Sequence, residues 1–130
     1  MIYFLQASTL FYGLTGAVLL FLPEEVLAFL QLNMDQGSPL VFQLMGTLYL
    51  GFGFLNYSAS KGQLNIGYLR PVLATNLGHS LMAGLTLINA LGDLSTPFAY
   101  VISLLCLTYL TIGLISGGLI LRPPVNAKHV

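Results

Sequence analysis

Five polar side chains sit deep inside hydrophobic stretches of this sequence: Tyr12, Tyr49, Asn76, His79 and Tyr109. A neutral imidazole donates from one ring nitrogen and accepts at the other, a phenol can do both, and an amide offers donors and an acceptor. Such a set can hold the polar head of an apolar ligand such as a quinone or lipid, or pass a proton. It can equally lock helices together through buried hydrogen bonds, each worth about 1 kcal/mol in a membrane. Both readings stay open at the sequence level. An ionisable residue within a membrane segment is a functional candidate by default, which makes His79 the centre of the set. Asn76, His79, Ser80 and Ala83 recur at helical spacing and share one face. Tyr12, Tyr49 and Tyr109 each fall near the middle of their own segment. The spacing therefore predicts a central polar layer in which at least one tyrosine meets His79.

Several chemistries find no residues to carry them. Arg70 lies nine positions from His79, about 13 Å along a helix axis, too far for direct pairing. It reads as an anchor at the headgroups, with binding of an anionic lipid or substrate as the other reading. No carboxylate falls within a hydrophobic segment, which argues against proton-coupled export driven by an embedded acid. A haem held by two histidines would need a second protomer, because His129 is in the tail. Cys106 is the single cysteine, so no thiol–disulfide exchange within the chain can be built. It reads as a small hydrophobe. No metal cluster, phosphate loop or nucleophile–base pair can be assembled. The chain is expected to be non-enzymatic, with no cofactor, no metal and no nucleic-acid partner.

The elements that position these residues follow from charge. The chain has 130 residues, 56% hydrophobic and 6% charged, with mean hydropathy +0.86. An ordinary soluble domain carries about a quarter charged residues. Glu24, Glu25, Asp35, Lys61, Arg70, Asp93, Arg122 and Lys128 are the only full charges, and they leave 1–23, 36–60, 71–92 and 94–121 free of them. About 20 apolar residues cross a bilayer core. Spans are expected near 3–22, 40–57, 68–91 and 98–121. The fold class is all-α: an integral membrane four-helix bundle, a single domain over 1–130. The first segment lacks a basic start and a small-x-small cleavage site, so it reads as a retained span.

After the first span, Pro23 opens Glu24-Glu25-Val26-Leu27-Ala28-Phe29-Leu30. Proline suits a first helical turn, and acids there suit the positive end of the dipole. The stretch is too short to span and reads as a helix at the membrane surface. Ser58-Ala59-Ser60-Lys61-Gly62-Gln63 reads as a polar turn, and Pro71 as part of the first turn of span three. Gly92-Asp93 and Pro97 make the third connection, and Pro123-Pro124 end span four.

All four bases fall on one side when the spans alternate direction, and all four acids on the other. The excess of Lys and Arg marks the cytoplasmic side, so both termini and the second loop are expected there, with a bacterial cytoplasmic membrane as the expected location. Tyr3, Tyr57 and Tyr68 would sit at the inner interface, Phe98 and Tyr100 at the outer.

Small residues form the remaining pattern. Gly113 and Gly117 make a G-x-x-x-G in span four; Gly13 and Ala17, Ala74 and Gly78, and Ser80 and Gly84 repeat the spacing. Span two carries a stripe of Gln43, Gly46, Thr47, Gly53 and Asn56. Small residues let helix backbones approach where no hydrophobic effect drives them together. The partner at Gly113 and Gly117 is either a neighbouring helix of the same chain, a second copy, or a larger membrane subunit.

Three stretches resemble the DoxX-like group of small four-span membrane proteins: Leu22-Pro23 with the short helix after it, the glycine-spaced run from Phe42-Gln43-Leu44-Met45-Gly46 to Gly51-Phe52-Gly53, and Arg70-Pro71. In outline the likeness covers most of the chain. It implies a four-span fold. Some members of the group are similar to subunits of quinone-linked sulfur oxidation or act in redox-stress complexes; this chain lacks a cysteine pair, so a redox role carries over poorly. The expected function is a small multi-pass packing or accessory protein. The alternatives are a subunit binding an apolar ligand near His79, and a small transporter.

Overall fold

The computed structural model describes residues 1–30, 37–62, 66–91 and 96–121, the side chains of 66, 67, 90 and 96–98 excepted. Asp35, Asp93, Arg122, Pro123, Pro124, Lys128 and His129, on which loop, topology and tail readings rest, lie outside the described residues. Among the described residues the fold is all-α, with five helices: α1 Ile2–Phe21, α2 Pro23–Phe29, α3 Ser38–Ser60, α4 Ile66–Ala90 and α5 Thr96–Leu121. All but α2 are long and apolar enough to cross a membrane. The expected class, a helical membrane bundle with a short helix after the first span, fits these elements.

The chain divides into two compact units, 1–65 and 66–130. In the first, α1 and α3 form an antiparallel hairpin and α2 packs back on both. α1 stops at Leu22, whose N–H still bonds to the Val18 carbonyl at 2.9 Å while its own carbonyl accepts from Val26 at 3.1 Å. One residue thus serves as the end of α1 and the start of α2. Pro23 occupies the first turn of α2 beside Glu24 and Glu25, where a missing N–H costs nothing. Pro23 and Leu27, one turn apart, are buried; Phe29, which the sequence puts on the apolar side, is 58% exposed.

α3 runs three residues beyond the expected end of its span. Ser58, Ala59 and Ser60 are helical and buried rather than a turn. The Ser60 hydroxyl donates to the Tyr57 carbonyl at 2.7 Å, so the serine needs no water and the helix can continue. The turn comes at Lys61-Gly62, with Gly62 at φ +68°, a left-handed conformation that glycine adopts without steric cost. Lys61 N–H and Gly62 N–H cap the carbonyls of Tyr57 and Ala59.

In the second unit α4 and α5 form another antiparallel pair: Gly84 lies against Leu110, Ser80 against Gly113, and Leu77 against Gly117. α4 starts at Ile66, two residues earlier than expected, which leaves Pro71 inside the helix. A proline there removes one backbone bond, and it stands close enough to the helix start that the ladder continues beyond it.

Polarity is distributed inside out. Leu14, Leu44, Leu48, Phe54, Met82 and Leu114 are exposed, whereas Ser8, Asn56, Asn76, Ser80 and Ser116 are at most 1% exposed. Water would favour the reverse; hydrocarbon favours this arrangement. Exposed threonines fit the same solvent. Thr47, Thr75, Thr86 and Thr111 each donate the hydroxyl to a carbonyl three or four residues back, at 2.7–2.9 Å. No hydroxyl is left facing lipid unsatisfied at these positions.

Candidate functional site

Within the first hairpin the polar and aromatic residues are placed by glycine. A side-chain carbon on Gly16 would lie 2.7 Å from the Leu50 nitrogen and 2.8 Å from the Gly46 oxygen. One on Gly46 would lie 2.7 Å from the Leu20 nitrogen and 2.8 Å from the Gly16 oxygen. Gly53 approaches the Gly13 nitrogen in the same way, at 3.1 Å. The two backbones are therefore in direct contact along a seam spaced by seven residues on α3, two helical turns. This close approach stacks the rings beside it. Tyr12 is fully buried, with its ring 6.0 Å from Tyr49, 5.6 Å from Phe52 and 5.4 Å from Phe11, all tilted. Asn56, one turn beyond Phe52, is fully buried and donates to the Phe52 carbonyl at 2.9 Å. Of the expected stripe on α3, Gly46, Gly53 and Asn56 are buried, Gln43 is half-buried and Thr47 faces outward.

Within the second hairpin Tyr109 is the tyrosine that meets His79. The rings stand edge to face, with centroids 5.7 Å apart, the arrangement the ring quadrupole favours. Asn76 and Ser80 are fully buried on α4, and His79 and Ala83 beside them are half-buried. The expected polar face is real, but it divides into a fully enclosed edge and a partly open one, and His79 is on the open one. Ser116 of α5 is fully buried and its hydroxyl has no hydrogen-bond partner. Ser8 of α1 is in the same state. Neither serine was distinguishable in the sequence, since each reads as one small residue among many.

The G-x-x-x-G of α5 faces its own hairpin. A side-chain carbon added on Gly113 would lie 3.5 Å from Ser80, and one on Gly117 3.6 Å from Leu77, ordinary van der Waals distances. Cys106 is buried on the same side of α5, its sulfur 3.6 Å from the Gly84 carbonyl oxygen. Its role is packing with a weak S–H donor. No group of three or more metal-ligating side chains occurs among the described residues.

Charge in the first hairpin is sorted by its antiparallel fold. Glu24 and Glu25 are exposed at the α2 end, and Lys61 is exposed at the opposite end of α3. The 23 residues of α3 separate the two signs by about 35 Å, a membrane's thickness.

No protein-family model matches the chain, and neither a curated protein nor a solved structure matches it.

Proposed function

We propose that this chain is a non-enzymatic packing or accessory protein of a bacterial cytoplasmic membrane, of the DoxX-like kind, acting as a single membrane domain through association with a second copy or a larger membrane subunit. The observation that carries the packing part of the reading is the backbone-to-backbone seam at Gly16, Gly46 and Gly53 within the first hairpin, joined to an interior of neutral serine, asparagine and tyrosine side chains. These features hold helices in register. The placement of Glu24 and Glu25 at one end of the first hairpin and Lys61 at the other supports an orientation with both termini cytoplasmic. Purification in a mild detergent followed by native mass spectrometry tests the proposal. The expected mass is a dimer or a complex with one membrane protein. A bare monomer, with every partner absent, refutes it.

A second reading is favoured by one observation: His79 is the half-open member of an otherwise enclosed polar face, with the Tyr109 ring against it. That is a site for the polar head of an apolar ligand, a quinone or lipid, at His79 and Tyr109, with Asn76 enclosed beside them. A His79→Ala protein that keeps its unfolding midpoint but loses a co-purifying small molecule supports the site. Loss of folding supports a structural histidine.

A further inference from the structure

We propose that Lys61 and Tyr57 form a two-residue clamp for the phosphate of an anionic phospholipid. The inference rests on α3 spanning the membrane and is independent of whether the chain packs with a partner. Lys61 follows Tyr57 by four residues, so the two share a helix face. The Lys61 ammonium lies 5.6 Å from the Tyr57 ring centroid, within cation–π range. A lone lysine at the end of a span extends its stem away from the hydrocarbon and into water. This one turns back along the helix, so its charge is held at the level of a tyrosine ring one turn closer to the membrane. Interfacial tyrosines sit at headgroup depth, which is where lipid phosphates lie. Tyr57 is 43% exposed and Lys61 is exposed, so both face the surroundings.

Nothing else in the described residues uses these groups. The Ser60 hydroxyl beside them is donated to the Tyr57 carbonyl, and the acids of the same hairpin, Glu24 and Glu25, are at its far end. Among the described residues the ammonium and the phenol thus have only each other. The ring limits the rotamers of the lysine, which lowers the ordering cost of binding, and the phenol can add a hydrogen bond to a phosphate oxygen. A zwitterionic lipid offers the same phosphate with a cationic group attached, so the clamp discriminates by net charge.

The test is native mass spectrometry of the chain exchanged into mixed micelles of phosphatidylglycerol and phosphatidylcholine, counting retained lipids of each type. A basic residue near the surface is worth about a fivefold preference for anionic lipid. Lys61→Gln should lower the first phosphatidylglycerol association constant about fivefold and leave phosphatidylcholine unchanged. Tyr57→Leu should lower it too, and the double variant should lose no more than Lys61→Gln alone, because the two act as one unit. Lys61→Arg should retain the preference. Helix content by circular dichroism, unchanged in all four, establishes that the span itself is intact. Unchanged phosphatidylglycerol binding in Lys61→Gln overturns the clamp, and so do losses that simply add in the double variant.

Discussion

Gly46→Ala is the sharpest probe of the first hairpin. The added carbon would stand 2.7 Å from the Leu20 nitrogen, 2.8 Å from the Gly16 oxygen and 3.0 Å from the Leu20 α-carbon, and all three are backbone atoms. None can swing aside as a side chain would. Restoring an ordinary contact of 3.4 Å requires α1 and α3 to separate locally by about 0.7 Å. Overpacking of this kind costs about 1–3 kcal/mol, and the separation also weakens dispersion contacts along the rest of the seam. Gly51→Ala, on the same helix, is the matched control: its added carbon meets nothing within 4 Å. It should be neutral or stabilising by up to about 1 kcal/mol, the propensity difference between the two residues in a helix. The assay is reversible unfolding in mixed micelles at rising SDS fraction, followed by circular dichroism. Gly16→Ala combined with Gly46→Ala should cost less than the two singles together, since helices already apart accommodate the second methyl. If Gly46→Ala proves as stable as Gly51→Ala, the backbone-contact seam is wrong.

Three further predictions read on the same assay. Gly62→Ala should destabilise by about 1–2 kcal/mol, because a side chain at φ +68° meets the left-handed penalty; an equal midpoint for the variant would contradict the capped end of α3. Ser8→Ala and Ser116→Ala should leave stability unchanged or raise it by up to about 1 kcal/mol, since each removes a buried hydroxyl that has no partner. Ser60→Ala should instead lower stability by about 0.5–1 kcal/mol, because its hydroxyl is bonded.

The helices were legible because hydrocarbon imposes length and apolarity on any segment that crosses it. Pro23 with Glu24 and Glu25 identified α2 for an equally local reason, the chemistry of a helix start. What the sequence could not show is which glycines touch. Gly113 and Gly117 carry the familiar four-residue spacing, yet a side-chain carbon added at either would meet only side chains of α4, at ordinary distances. The intimate contact belongs to Gly16, Gly46 and Gly53, and it depends on how α1 and α3 are rotated toward one another, a property of the pair. The end of α3 was misread for a related reason. A serine-rich stretch looks like a turn until the Ser60 hydroxyl is seen to bond within the helix. Of the five candidate residues, Tyr109 with His79 and Tyr12 with Tyr49 are brought together within their hairpins. Mid-segment position predicted depth, while the ring-to-ring pairings came from the packing.

The outward threonines bear on how the protein is made. Thr47, Thr75, Thr86 and Thr111 bond only within their own helices, so those side chains need no neighbour when a helix leaves the translocation machinery and enters lipid. The glycine seam is the opposite case: it gains nothing until its second helix arrives. Insertion and pairing are therefore separable steps governed by different residues. A chain with a damaged seam should still reach the membrane with all its spans in place, and fail there, as separate helices open to membrane quality control.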